Sequence, residues 1–204
     1  MGRPAVEEAY LAELTARLAG ARAVYSVGSY ALGGYEPGRS DLDVLVVVDA
    51  PLGDAGREAI VARCSHEALP CPARKLELVV YTAEQAAAPR RAQRWELNLN
   101  TGEETPLHAG ADPAAEPWFW FVLDLAQARD HAIALHGPPA RELLGPVAPE
   151  LTREAMAAAV AWFAREEPGE AVLLTAARAW RFAEEGVFSP KRDAWRWAVA
   201  RLGR

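Results

Sequence analysis

The 204-residue sequence has only two cysteines and no long apolar run. Cys64 and Cys71 are not accompanied by His or Cys at metal-ligand spacing, which argues against a zinc site, and we interpret them as free thiols rather than a disulfide. No stretch of about eighteen apolar residues occurs, and the N-terminus has neither the apolar core nor the cleavage site of a signal peptide. We therefore expect a cytoplasmic protein that does not associate with a membrane.

The sequence also has no excess of basic residues. Its 22 Lys and Arg against 28 Asp and Glu give a formal charge of −6, which provides no general attraction to a polyanion. Long nucleic acid is therefore not an expected partner. A cationic small molecule fits this charge better, although solubility alone explains it equally well.

Strand and helix patterns alternate over the first hundred residues. Apolar residues at helical spacing predict an amphipathic helix that ends at Gly20, and a further helix is indicated at 54–69. Short apolar or alternating segments predict four strands, at 23–27, 42–48, 75–81 and 95–99. The fourth strand has the weakest pattern.

The composition changes at 101–117, where Gly, Pro and acidic residues interrupt any regular element. We place a domain junction there and predict two domains, 1–105 and 106–204. The second domain has helical periodicity throughout, at 118–136, 149–167, 170–185 and 191–202.

The connection between the first two predicted strands carries the most informative residues. Gly28 lets the backbone approach a phosphate, and the amides that follow would donate to phosphate oxygens together with the Ser29 hydroxyl. Side chains alternate across a strand, so Asp41 and Asp43 are expected to project from one face. At about 5 Å and an effective dielectric near 20 their charges repel by about 3 kcal/mol, which a divalent cation would offset. Oxygen ligands shared with phosphates favour Mg²⁺.

Glu77 supplies a third carboxylate, inside an otherwise apolar strand. A polar side chain that faces solvent is the ordinary explanation of such a position. If this strand lies beside that of Asp43, Glu77 can instead remove the proton of an acceptor hydroxyl as a general base. The three carboxylates then predict nucleotidyl transfer, in which the hydroxyl attacks the α-phosphorus of a metal-bound nucleotide and pyrophosphate leaves.

These motifs resemble the nucleotidyltransferase superfamily that includes DNA polymerase β, and more closely its streptomycin/spectinomycin adenylyltransferase branch. The matching segments span nearly the whole chain: Gly28-Ser29, Ser40-Asp41-Leu42-Asp43, Leu76-Glu77-Leu78, Ala134-Leu135-His136-Gly137-Pro138, Val172-Leu173-Leu174-Thr175 with Arg178 and Trp180, and Ser189-Pro190-Lys191. The resemblance implies an α+β fold, with an N-terminal mixed-sheet nucleotidyltransferase domain followed by a C-terminal helical bundle. It also implies transfer of AMP from Mg-ATP to a hydroxyl of an aminoglycoside-like antibiotic.

The resemblance further implies a role for each matched residue. Asp41 and Asp43 would bind Mg²⁺, and Glu77 would act as the general base. The predicted ATP contacts are Gly28, Ser29, Ser40, Arg178 and Lys191, with a solvated helix start as the alternative for Lys191. The predicted acceptor contacts are Trp95, Trp162 and Glu166, with core packing as the alternative for both tryptophans and Glu167 or Glu170 as alternatives to Glu166.

Two other functions remain open at the level of sequence. One is nucleotidyl transfer to a protein or RNA, and the other is a nucleotide-binding module without turnover. The family continues with further helices past the position of Leu202, so we expect the outer wall of the acceptor pocket to be reduced. The sequence is compatible with a monomer or a homodimer.

Overall fold

A single mixed sheet organises the first two thirds of the chain. The computed structural model describes residues 4–203, and its six strands are β1 (Ala23–Ser26), β2 (Leu42–Val48), β3 (Leu76–Thr82), β4 (Leu97–Gly102), β5 (Thr105–Gly110) and β6 (Ile133–His136). Their order across the sheet is β5-β4-β3-β2-β1-β6. Strands β2 and β3 are parallel, and the other neighbouring pairs in the described chain are antiparallel.

Helices cover both faces of this sheet and form the C-terminal region. They are α1 (Ala5–Arg17), α2 (Gly28–Leu32), α3 (Gly53–Cys64), α4 (Ala83–Ala87), α5 (Trp118–His131), α6 (Ala140–Leu143), α7 (Pro149–Glu166), α8 (Glu170–Glu185) and α9 (Lys191–Leu202). The predicted α+β fold, with a mixed sheet before a helical region, is confirmed. Within residues 4–203, none of the helices is long and apolar enough to span a membrane.

Strand β2 is buried on both sides, which explains its nearly continuous apolar sequence. Val44 and Val46 face a core shared with α1 and α3, whereas Leu45 and Val47 face a second core shared with α5 and α6. Full burial of such a side chain stabilises the fold by about 1.5–3 kcal/mol. Because side chains alternate, Asp43 projects from the same face as Leu45, toward α5.

Strand β5 corrects the prediction of an irregular junction at 101–117. Thr105–Gly110 pairs with β4 at the edge of the sheet, with a register shift between Asn100 and Gly102. Pro106 is compatible with this strand because an edge strand leaves one row of N–H groups outside the ladder. The strand was therefore not predicted, because its segment contains a proline and is rich in Gly and acidic residues.

Strand β6 is a second correction, because a continuous helix was predicted at 118–136. Helix α5 ends at His131, and Ile133–His136 pairs with β1 at the opposite edge of the sheet. The apolar residues of this short segment fit both helical and strand periodicity. The segment forms a strand because it pairs with the free edge of β1. Tertiary pairing has overridden the local pattern.

Helix α5 lies between the sheet and the helices that follow. Phe121 and Leu125 enter the core beneath the sheet, while Phe119 and Val122 pack against α7. Helix α8 contacts α7, and α9 contacts α8. Two strands of the sheet, β5 and β6, come from after residue 104, and the division into 1–105 and 106–204 stays a prediction.

Candidate active site

Gly28 and Asp43 are in direct contact at the start of the site. Gly28 follows β1 with φ +61°, a conformation that favours glycine, and a Cβ added there would overlap the Asp43 carboxylate. The amide of Val27 donates to the Asp43 carbonyl at 2.9 Å, which fixes the turn against β2. The predicted Gly-Ser turn and the predicted Asp-x-Asp segment therefore meet, and only glycine fits between them.

Glu77 lies directly beside Asp43. The two residues are paired in the parallel register of β2 and β3, so both side chains project from the same face of the sheet. Burial first, and then the charges of Glu77, Asp124 and Asp41, raise the pKa of Asp43 well above its ordinary value. Hydrogen bonding with the Glu77 side chain makes the smallest contribution to this shift. Two carboxyl groups in this arrangement need a proton or a cation to compensate their charge.

Asp41 lies directly before β2, which begins at Leu42 as predicted. Its carboxylate accepts two hydrogen bonds from Arg74, at 2.8 Å from Nε and 2.7 Å from Nη2. The pKa of Arg74 is raised by these hydrogen bonds and by the nearby negative charges. Asp41 is close enough to act on Asp43 electrostatically, but it is held by a bidentate ion pair.

Lys75 is the partner of Glu77. Its ammonium forms an ion pair with the Glu77 carboxylate and lies 3.4 Å from Oδ1 of Asn100 on β4. Glu77 and Asn100 are directly opposite in the β3/β4 register, so the polar row continues across the sheet. Glu77 remains accessible, with 38% of its side chain exposed. It is therefore oriented by Lys75 without being enclosed.

A fourth carboxylate, Asp124, faces the site from α5. Burial first, then the charge of Glu77, raise its pKa to about 7, although the charge of Arg178 acts in the opposite direction. Sequence reasoning missed this residue. The available signal was a lone acid in the apolar helical segment that begins at Trp118, where an unpaired charge is costly.

Two cations reach the site from the C-terminal helices, as predicted for the nucleotide contacts. Burial lowers the pKa of Arg178 on α8, while Asp124 and Asp43 counteract that shift. Desolvation and the charge of Arg178 lower the pKa of Lys191 at the start of α9, and Asp43 again opposes the shift. The structure therefore brings Arg178 and Lys191 toward the same carboxylate, and their contact with a nucleotide stays a prediction.

The two predicted serines lie at the edge of this cluster. Ser29 is the second residue of α2 and is partly buried. The Ser40 hydroxyl accepts a hydrogen bond from the Glu36 amide at 3.0 Å, which closes the turn before β2. Ser40 therefore has a structural contact, and its predicted role toward ATP is not tested by it.

The predicted acceptor residues differ in their surroundings. Trp95 is 3% exposed and packs on Phe121 in the core, so core packing, which was its alternative explanation, describes its position. Trp162 is partly buried on α7, with its ring edge-on to that of Trp120 at 5.6 Å. Glu166 is exposed and lies 4.0 Å from Arg165.

Glu167, an alternative to Glu166, acts electrostatically on a residue of the cluster. It contributes to the raised pKa of Arg74, whose guanidinium holds Asp41. The end of α7 therefore brings negative charge toward the site. The assignment of either acid to the acceptor stays a prediction.

The charges of the cluster are nearly balanced within the protein. Its acids are Asp41, Asp43, Glu77 and Asp124, and its bases are Arg74, Lys75, Arg178 and Lys191. Two of the acids are in ion pairs, which leaves Asp43 and Asp124 facing the cations of the C-terminal helices. Among the described residues, no three His, Cys, Asp or Glu side chains are already arranged around a common metal position.

Comparison with known proteins gives this arrangement a family. Residues 10–106 match the model of a nucleotidyltransferase domain, and residues 142–204 match that of the aminoglycoside adenylyltransferase C-terminal domain. An aminoglycoside (3'') (9) adenylyltransferase from Klebsiella pneumoniae is 30% identical over 190 residues, covering 88% of this chain and 71% of the relative. The chain belongs to the aminoglycoside adenylyltransferase family. A relative of the same description from Escherichia coli matches with the same identity and coverage.

The fold of this aminoglycoside adenylyltransferase family member is shared with a solved structure. The spectinomycin adenyltransferase AAD(9) from Enterococcus faecialis, with ATP and spectinomycin, superposes with a TM-score of 0.69 at 19% identity. The match covers 94% of this chain and 81% of that one. The predicted family and enzyme class are confirmed, because a nucleotidyltransferase domain is followed by the C-terminal domain of the family.

Proposed function

We propose that this protein transfers AMP from ATP to a hydroxyl group of an aminoglycoside. The observation that carries the proposal is the pairing of Asp43 with Glu77 beside Gly28, in a chain of the aminoglycoside adenylyltransferase family. The Asp43 carboxylate, which is suited to binding a cation, lies next to the Glu77 carboxylate, which is suited to accepting a proton. This arrangement is what in-line attack on an α-phosphorus requires.

Mg²⁺ fits the residues that are present. The Asp43 and Glu77 carboxyl groups, which are paired in the β2/β3 register, mark a position where negative charge needs compensation, and oxygen-only ligands suit this cation. Asp43 would hold it, with Asp41 after release from Arg74. When bound, the ion neutralises charge that develops on the phosphates.

Glu77 would act as the general base. Its carboxylate is exposed enough to receive an acceptor hydroxyl, and it would take that proton as the oxygen attacks the α-phosphorus. The bond between the α- and β-phosphates breaks, and pyrophosphate leaves with its electron pair. Lys75 would orient the Glu77 carboxylate before the transfer.

The remaining residues would bind the two substrates. Gly28 and Ser29 would present amides and a hydroxyl to the phosphates, and Ser40 would support the turn beside them. Arg178 and Lys191 would bind the phosphates from the bundle. The partly exposed face of Trp162 and the acids at the end of α7 suit a cationic acceptor such as an aminoglycoside.

The experiment is a screen of hydroxylated acceptors with labelled Mg-ATP. We expect pyrophosphate release, and an acceptor mass increase corresponding to AMP, with streptomycin or spectinomycin. ATP binding without release in the presence of any acceptor would reduce the protein to a binding module. Labelling of RNA or protein instead of an antibiotic would reassign the acceptor.

Glu77→Gln tests the base. We expect ATP affinity to be kept while turnover falls by about 10²–10⁴-fold, because the amide cannot accept the proton. Asp43→Asn should instead lose the metal dependence of ATP binding. Glu84→Gln, at an exposed position on α4, is the matched control and should retain full turnover. Normal turnover in Glu77→Gln would assign the base to another residue.

A further inference from the structure

Helix α5 carries two polar side chains into the space between the sheet and the bundle. Asp124 and Gln127 are three residues apart and therefore lie on the same side of the helix. Gln127 is only 6% exposed. A buried amide without partners costs about 1–3 kcal/mol, so the partners of Gln127 indicate what it does.

Both ends of the Gln127 amide are used, and they join distant parts of the chain. Nε2 donates to the carbonyl oxygen of Gly28 at 3.2 Å, and Oε1 accepts from Nη2 of Arg178 at 3.3 Å. Gly28 belongs to the turn that follows β1, whereas Arg178 belongs to α8. One side chain therefore connects the turn against Asp43 with the cation of the bundle.

Arg178 is otherwise weakly fixed. Its Nε is buried and has no hydrogen-bond partner among residues 4–203. The charges of Asp124 and Asp43 attract it and the charge of Lys191 repels it, but none of these fixes its orientation. Without Gln127, those two carboxylates would compete with a phosphate for the guanidinium. The hydrogen bond that Arg178 donates to Oε1 of Gln127 holds the guanidinium in one direction.

We propose that Gln127 is a positioning residue for nucleotide binding, which orients Arg178 relative to the Gly28 turn. The inference rests on the proposed function, because Arg178 acts on ATP only if this is a nucleotide site. The two hydrogen-bond partners of the Gln127 side chain are groups of the protein itself, the Gly28 carbonyl and the Arg178 guanidinium. We expect the effect of Gln127 on ATP to pass through Arg178, and a double-mutant cycle tests this directly.

The cycle uses Gln127→Met, Arg178→Met and the double variant, with Mg-ATP affinity measured by calorimetry. Methionine keeps the length of the side chain but removes both hydrogen bonds. We expect Gln127→Met to weaken ATP binding by about tenfold, and by less than about twofold when Arg178 is already replaced. The KM for ATP should rise with the dissociation constant, while kcat at saturating ATP stays within about threefold.

Gln93→Met is the matched control. Gln93 is also buried, at 3%, and its amide is fully used, but by the backbone of Gln85, Arg90 and Arg94. This variant should lower Tm without changing ATP affinity. Gln127→Asn, which keeps a buried amide too short to span both partners, serves in the same cycle if Gln127→Met does not fold.

The outcomes separate the two hypotheses. The positioning role would be overturned if Gln127→Met weakened ATP binding equally with and without Arg178, or in neither background. It would also be overturned if Gln93→Met weakened ATP binding as much as Gln127→Met does. A wild-type protein that does not bind Mg-ATP would instead refute the proposed function, and this inference with it. The positioning role is supported if the KM for ATP has its wild-type value only in the protein that contains both Gln127 and Arg178.

Discussion

Gly28 lies so close to the Asp43 carboxylate that a Cβ at position 28 would overlap it. We expect Gly28→Ala to reduce turnover by at least about 100-fold, because the new Cβ would displace the Asp43 carboxylate. Gly33→Ala is the control. Gly33 also has a positive φ, +77°, so alanine adds a similar strain of about 1–2 kcal/mol, but nothing lies within 4 Å of its added Cβ. Pyrophosphate-release rates measure the difference, and equal losses would mean that strain alone matters.

The proton of Asp124 makes stability depend on pH in a defined direction. The pKa is raised from an ordinary 3.8 to about 7, so the folded protein holds this proton more tightly than the unfolded chain. That stabilisation is complete below about 3.8 and is lost as the pH rises through about 7. Asp124→Asn, which stays neutral, should therefore have a higher Tm than the wild type at pH 8, and the two should converge near pH 4.

The comparison uses metal-free buffer and Asp130→Asn as its control. Asp130 is exposed on the same helix and pairs with Arg141, so its replacement should give no gain at pH 8. A Tm difference for Asp124→Asn that is the same at both pH values would contradict the assigned pKa. Thermal unfolding followed by circular dichroism is sufficient for all three proteins.

Single residues were predictable where a local motif fixes their neighbours. Gly28, Asp43 and Glu77 followed from a turn and from strand alternation, and the structure places them together. Arg74 and Lys75 were missed because nothing local shows that adjacent basic residues will pair with acids on two different elements. Such ion pairs depend on the register of β2 and β3, which a single sequence does not specify.

At the scale of elements, α5 was predicted in type but not in extent. Its apolar segment indicated a helix, while the four residues of β6 are too short for helical and strand periodicity to be distinguished. Strand β5 was hidden by Pro106, which is tolerated only because that strand lies at an edge. A strand lies at the edge of a sheet when no further strand pairs with its other side. The residue pattern of the strand itself does not show whether such a partner exists.

The contact between α5 and α7 depends on a small residue. Ala159 is 1% exposed and belongs to the core cluster of Phe119 and Val122. Ala159→Glu should lower the free energy of unfolding by about 3 kcal/mol or more, because it buries an unpaired charge. Ala157→Glu, at an exposed position of the same helix, should change it by less than about 0.5 kcal/mol. Urea unfolding measures both, and similar values would contradict the register of α7.

At the scale of the whole molecule, the start of α9 is docked on the loop after α2. The ring of Pro190 lies against Gly34, and Arg192 pairs with Glu36 at 2.7 Å. The ion pair is exposed and is worth at most about 1 kcal/mol. Close packing against Gly34 is therefore the stronger constraint on where Lys191 lies.

Gly34→Ala tests this docking. Its added Cβ would lie 2.7 Å from the Pro190 Cβ, so the start of α9 must shift. We expect the KM for ATP to rise by about three- to tenfold while Tm falls only slightly, because a displacement of about 1 Å in a site can cost up to 100-fold. Gly20→Ala, where nothing lies within 4 Å, should leave both unchanged. An unaltered KM in Gly34→Ala would remove the link between docking and the nucleotide.

The chain has twenty-two basic residues but only two lysines, Lys75 and Lys191, and both lie in the carboxylate cluster. Amine-directed reagents such as succinimidyl esters or pyridoxal phosphate with borohydride therefore have two side-chain targets, besides the terminal amine. Desolvation lowers the pKa of Lys191, so a larger fraction of its amine is uncharged and nucleophilic at mild pH. Attachment of the protein to a surface through its lysines would therefore block the carboxylate cluster, whereas its arginine side chains would remain unmodified.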